Sequence, residues 1–482
     1  MCLFIVREQS KVYISLCRDG LNTDSELRGG CSAKKPIKFV GLGLSFVIAA
    51  GSFVGFQSKP IKSYASSPAT LNVLTYTQPQ EKVVYQNLEK QYLAKHNVKI
   101  NWTFTTGDVY PSKIKASFAA NNIPDVFYVA PGDLRAYVNA KRLLPLNSYL
   151  KKLNISTKDI WPQAINRYMY NGTTMGKGTL YALPKDVSAF GFCYNKTLFQ
   201  KNHIPLPSKT KPYTLQQFLS VCQKLTKDTN GDGKIDQWGA GFDPHWSIEP
   251  FIWTCGADFL DKTYTKVTIN NAKFQNALQY FVDLTTKYKV TPSYSEAMSL
   301  AYYQRFLQGQ EGFFACGNWD MGAFNNKSTF KYDYDLIPWP VSTATNKSIT
   351  WTGSLGFCVS NTSANKEEAV KLVKYLSADT ITNKALAKAQ IQMPNIMSYA
   401  KGSYVKDCGI TKNVSVFFNY IEKTGRPGPT EYTYNSEWWD QFQTDLPTVL
   451  QGKDTVAKFC AAEQPKMQAK LDNAIALSKS QK

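Results

Sequence analysis

From residue 68 onward, apolar and polar positions recur with two different periods. LNVLTY (71–76), VKINWTF (98–104) and DVFYV (125–129) are apolar or alternating runs of strand length. Between them, EKVVYQNLEKQYLAKH (81–96) and the stretch around 111–121 place apolar residues at helical spacing. The alternation predicts a mainly parallel sheet with ligands held at strand ends. A second run begins at YALPKDVSAFGFCYNKTLF (181–199) and includes helices at 214–227 and 272–288. LIPWP (336–340) reads as a crossing between two lobes, and TGSLGFCVS (352–360) as a strand returning to the first, backed by a helix at 365–377. Helical patterns fill 412–423, 436–450 and 454–478. No repeat and no Ser/Pro/Gly linker separates independent domains, so the pattern predicts an α/β protein of two lobes built from interleaved segments.

The amino terminus follows other rules. Lys34, Lys35 and Lys38 precede the uncharged stretch 39–56, and Ser63-Tyr64-Ala65 offers a small-residue cleavage site. Residues 34–65 therefore read as a signal peptide or membrane anchor. Residues 1–33 form an extension, or an over-long start, ahead of it. The body is expected outside the cytoplasm, secreted or tethered at the cell surface.

Composition narrows the classes. Of 482 residues, 43% are hydrophobic, which supplies a core and excludes disorder. The net charge of +20 is spread along the chain without a basic block, so no nucleic-acid arm is expected. Cys193, Cys316 and Cys358 lie inside apolar runs, and no CxxC spacing exists, which predicts buried thiols rather than a zinc site or disulfide framework.

Two features carry chemistry. In DTNGDGKID, Asp228, Asn230 and Asp232 stand at positions 1, 3 and 5 of a calcium-loop pattern, with the Lys234 carbonyl and Asp236 behind them. These are hard oxygen ligands for a structural Ca²⁺, although Gly239 stands where the pattern has its bidentate Glu. The second feature is tryptophan beside polar or glycine neighbours: Trp246 in DPHWSIE, Trp319 in GNWDMG, Trp351 in ITWTGS and Trp438-Trp439 in SEWWDQ. Flat rings in such places suit the C–H faces of sugar rings. GxSxG, Walker, HExxH and GxGxxG motifs are lacking, so the expectation is a binding protein without catalytic residues or a required cofactor.

At this point the chain resembles a family. IPDVFYVAPGDLRAYVNAKRLLPLNSYL (123–150), LYALPKDVSAFGFCYNKTLF (180–199) and FLQGQEGFFACGNWDM (306–321) are similar to segments of the extracellular solute-binding proteins of ABC transporters. The resemblance extends through 349–377 and 392–400 to the terminal WW helix, and points to the carbohydrate-binding group that includes maltose-binding protein. It implies a periplasmic-binding-protein-like fold that closes as a hinge, with crossings near 183–187, 335–341 and 392–397. Lobe one then comprises 69–183 and 342–392, and lobe two 188–334 and 398–482. By the same resemblance Trp319 is the stacking tryptophan of a G-x-W motif, and Trp246 is the aromatic ahead of Gly256-Ala257. Trp439, or Trp438, is the aromatic of the terminal lobe-two helix. Tyr76, Tyr128, Asp133, Arg135 and Trp351 complete the cleft from lobe one, with Asp186 at the first crossing. Val129 departs from members that stack a tryptophan there. The implied protein is a monomeric, saccharide-binding subunit of an importer that meets membrane permease subunits. A surface adhesin or sensor, and a secreted polysaccharide-acting enzyme, are the competing classes.

Overall fold

The computed structural model describes Phe4–Glu8, Lys11–Ser15 and residues 68–480 apart from Ser354. The expected signal segment at 34–65 lies outside the described residues. The chain divides into two units, Met1–Ala65 and Ser66–Lys482. In the first, Phe4–Glu8 and Lys11–Ser15 pair as an antiparallel hairpin. Among the described residues no helix is long and apolar enough to cross a membrane.

The second unit contains two sheets. The lobe-one sheet runs, in spatial order, Val98–Thr105, Ala69–Tyr76, Val126–Val129, Gly356–Val359 and Ala182–Pro184. Its first three strands are parallel, as strand–helix alternation requires; Gly356–Val359 pairs antiparallel with Val126–Val129 on one side and with Ala182–Pro184 on the other. Val98–Thr105 is one edge of this sheet, and there burial alternates along the start of the strand as its sequence does. Val126–Val129 is buried at every position, as an unbroken apolar run in a covered strand should be.

The lobe-two sheet runs Trp238–Gly241, Glu311–Gly317, Ser188–Asn195, Thr350–Gly353 and Gly425–Pro427, with Tyr334–Ile337 also paired to Ser188–Asn195. Ser188–Asn195 is its spine, buried at all eight positions. Helices Leu215–Leu225, Ala272–Thr286 and Val456–Ser480 accompany it. Thr214 and Gln217 form a reciprocal capping box that starts the first of these. Each lobe has its own apolar core.

The passages between lobes differ in part from the expectation. The chain passes from lobe one to lobe two at 185–187, between Ala182–Pro184 and Ser188–Asn195. The segment 336–340 is no crossing: Leu336 and Ile337 pair with Cys193 and Phe192, and the Trp339 indole donates to the Phe190 carbonyl at 3.0 Å. Its apolar run is that of a strand covered on both faces. The chain returns to lobe one between Gly353 and Gly356, which splits the expected strand 352–360 between two sheets and leaves 350–353 in lobe two. Further on, the Asn395 amide donates to the carbonyls of Pro184 (2.7 Å) and Lys185 (2.8 Å) and laces the first passage to the last. Trp161, from the amino-terminal segment assigned to lobe one, packs in the lobe-two core.

The predicted carboxy-terminal helices 412–423 and 436–450 are broken. Ser415–Asn419 continues as a wide turn, and Pro447 interrupts the second so that Glu437–Asp445 and Pro447–Leu450 are separate.

Candidate functional site

A cleft of about 1350 Å³ lies between the lobes and is lined from both. Its lobe-two wall is aromatic. Trp319 stands in the turn that ends strand Glu311–Gly317, and its ring folds back over Gly317, where a Cβ would lie 2.1 Å from the indole. Only glycine fits under the ring, which explains the G-x-W spacing. Trp351 lies nearly parallel to Trp319, with centroids 6.1 Å apart, and stacks on Phe190 at 4.9 Å. Trp246, on helix Pro244–Thr254, approaches Trp351 at 5.7 Å and accepts the Trp351 indole N–H through its carbonyl at 2.9 Å. Trp246 and Trp319 keep 46% and 36% of their surface exposed, which for large rings marks a face built to be covered by something else.

The opposite wall and floor are polar. Tyr76, Gln78 and Gln80 follow the first strand, and Thr106 the second; Phe104 adds one apolar face under Lys82. On the floor the Lys185 ammonium meets Glu81 at 2.8 Å and Asp186 at 3.7 Å, all three nearly enclosed. Burial pushes Lys185 down, but the two carboxylates outweigh it and hold its pKa well above the ordinary lysine value. Asp186 is oriented by the Ser188 hydroxyl and the Leu355 N–H, each donating at 3.0 Å. Burial raises the Tyr76 phenol to about 12, so it is neutral and can donate or accept. Burial also lifts the Asp320 carboxyl to about 7, against one donated hydrogen bond from the Gly317 N–H at 2.9 Å. A ring-stacking wall faces hydroxyl-scale donors and acceptors.

Of the residues read from sequence, the cleft brings together Tyr76, Asp186, Trp246, Trp319 and Trp351. Trp351 reaches it from the lobe-two sheet, because its strand pairs with Ser188–Asn195 rather than with lobe one. The other residues lie elsewhere. Tyr128 is 1% exposed in the lobe-one core, its hydroxyl 3.1 Å from that of Tyr85. Asp133 ends the short turn Pro131–Asp133, where Gly132 nears Thr430, and Arg135 lies in the helix that follows it, both outside the cleft lining. Trp438 is fully buried, donating to the Thr433 hydroxyl at 2.9 Å, and Trp439 packs against Phe259 and Phe442. Their helix turns Gln443 toward the cleft instead, followed by Leu446 and Leu450. Sequence reading missed Glu81, Lys82, Phe104, Lys185 and Phe190. Phe104 was legible as the outward partner of Trp102 two residues earlier; the Glu81–Lys185 pair was not, since it joins positions far apart in the chain.

The loop at 228–236 is an acidic turn held by its own side chains. Asp228 accepts the Gly231 and Gly233 N–H groups, each at 2.7 Å, Asn230 and Asp232 accept from Asp232 and Lys234, and Asp236 turns back to Thr229. The carboxylates serve the turn, and among the described residues no three acidic, His or Cys side chains converge at metal-binding distance.

Solved structures share this fold. An ABC substrate-binding protein from Listeria monocytogenes, in complex with cycloalternan, matches with a TM-score of 0.73 at 20% identity over 84% of this chain and 99% of its own. A solute-binding protein from Thermotoga lettingae, bound with alpha-D-tagatose, matches at 0.71 and 22% identity, covering 84% and 100%. The maltose/maltodextrin-binding domain from Bdellovibrio bacteriovorus, bound to maltotriose, matches at 0.67 and 21%, with the same coverage. The model of the bacterial extracellular solute-binding proteins matches residues 76–382, more than half of the chain and both walls of the cleft, and the chain belongs to that family.

Proposed function

We propose that this protein is the extracytoplasmic substrate-binding subunit of an ABC importer, that it holds a saccharide between its lobes, and that it delivers the sugar to membrane permease subunits without breaking a bond. The observation that carries the reading is the near-parallel wall of Phe190, Trp351 and Trp319 facing Tyr76, Asp186 and the buried Lys185–Glu81 pair. Stacked rings take the apolar faces of a pyranose, while oriented carboxylates and amides take its hydroxyls. The neighbours bound to cycloalternan, tagatose and maltotriose support the same ligand class. Ligand contacts drawn from both lobes favour the closed arrangement, because only that arrangement makes both sets together. Retention near the membrane, by an uncleaved anchor or by the basic charge, belongs to this reading.

A thermal-shift panel of mono-, di- and oligosaccharides, with glycerol phosphates and polyamines as other solute classes, tests it. A cognate sugar at 100 times its Kd adds about 2.7 kcal/mol of stability. Stabilisation by a polyamine or phosphate and by none of the sugars would overturn the ligand class. Release of product from an oligosaccharide would overturn the binding-only role.

A further inference from the structure

We propose that the short helix Met321–Asn325, which continues the Trp319 turn, is a latch that fastens lobe two to lobe one and sets ligand affinity without touching the ligand. This rests on the reading of the cleft as a site that closes over what it binds. Met321 and Phe324 anchor the helix in the lobe-two core, whereas Leu386 and Ile391 belong to the core of lobe one. Three contacts cross between them. The Asn318 amide donates to the Ile391 carbonyl at 3.3 Å, the Asn325 amide donates to the Gln390 side-chain oxygen, and Gly322 lies against Gln80 and Ala389. Gly322, Asn325 and Gln390 themselves stand outside the cleft lining.

The backbone on both sides is shaped for this meeting. A Cβ at Gly322 would lie 2.9 Å from the Gln80 amide oxygen and 3.3 Å from the Ala389 carbonyl oxygen, so the lobes come this close only across a glycine, itself a poor helix residue. Gln390 holds a φ of 56° just past helix Thr380–Lys388, a left-handed position that glycine or asparagine usually fills. Glutamine is unfavourable there, but its side chain reaches Asn325 in the other lobe. The seam is also separable. Asn318 Oδ1 and Gln392 Oε1 are buried without a hydrogen-bond partner among the described residues, so parting the lobes returns both to water. Since Gly322 follows Trp319 by three residues, a ligand that seats the ring seats the latch with it.

Gln390→Gly keeps the left-handed cap and deletes the amide, while Gly322→Leu wedges the seam open. Without sugar, both variants should show a larger radius of gyration in small-angle scattering than wild type. Gln390→Gly should be at least as stable as wild type in urea. Stopped-flow tryptophan fluorescence with maltotriose and with tagatose should show dissociation about tenfold faster in both variants, with association within twofold of wild type, because first encounter uses the open form. Unchanged scattering in both variants overturns the latch, as does slower association with unchanged dissociation, and a loss of stability in Gln390→Gly would make that residue merely structural and overturn it too. Failure of both sugars to bind wild type counts against the saccharide reading alone, since the scattering comparison reads the latch with no sugar present.

Discussion

Replacing Trp319 by alanine should separate ligand binding from folding. The ring lies over Gly317 and beside Trp351, and 36% of its surface remains open to the cleft. Taking ~250 Å² for a large aromatic side chain, the open share is about 90 Å². At ~25 cal/mol/Å² its coverage by a sugar face contributes about 2 kcal/mol. Trp319→Ala should thus weaken a cognate saccharide about 30-fold, since ~1.4 kcal/mol is tenfold. Trp319→Phe, which keeps a face in place, should lose less. Trp439 supplies the control, because it is 7% exposed and packed against Phe259 and Phe442. Trp439→Ala should cost about 3–5 kcal/mol of stability through the cavity it leaves, while surviving folded protein binds nearly as wild type. Calorimetry for Kd and urea unfolding for stability measure the two effects on the same samples. The reasoning fails if Trp319→Ala binds within twofold of wild type, or if Trp439→Ala loses affinity without losing stability.

Three other outcomes follow from the same structure. Arg167 is almost enclosed; it meets Glu431 at 2.9 Å and donates to the Thr352 hydroxyl at 2.6 Å. Arg167→Ala therefore leaves a buried carboxylate alone and should cost about 3–5 kcal/mol in urea unfolding, more than the double change with Glu431→Gln; an equal cost for single and double variants would show the pair is not coupled. Burial raises Glu249 to about 8 and Asp320 to about 7, so the folded state binds their protons more tightly than the unfolded chain, and stability should decline as pH rises from about 5 to 8, at up to ~1.4 kcal/mol per unit of raised pKa and less for Asp320, which keeps some surface in the cleft. Glu249→Gln and Asp320→Asn should flatten that decline, and an unchanged slope in both would refute its origin. The carboxylates of the 228–236 loop hold its turn by accepting backbone N–H groups and the Thr229 hydroxyl; if that is their whole role, EDTA leaves the Tm unchanged, and a fall of several degrees would show a cation shared by the same carboxylates.

What the sequence alone determined is local. Period and punctuation placed strands 71–76, 98–104 and 125–129 and helices such as Lys366–Ala378 within a few residues, because burial of one face imposes its spacing on the chain. Segment order carried the two-lobed α/β architecture, and the glycine two residues before Trp319 carried its exposed ring. Membership of each sheet was a different matter. An apolar run such as 336–340 satisfies a buried strand and a buried crossing equally, and only its pairing with Ser188–Asn195 decides between them. The adjacent Trp438 and Trp439 look like Trp319 in composition, yet helix packing against Phe259 and Phe442 turns them inward. Glu81 and Lys185 become one buried ion pair solely because a helix of lobe one lands on the first passage between lobes. Backbone periodicity is written into neighbours along the chain, whereas sheet partners, side-chain burial and the lining of a cleft arise from contacts between residues far apart, and these only the tertiary structure decides.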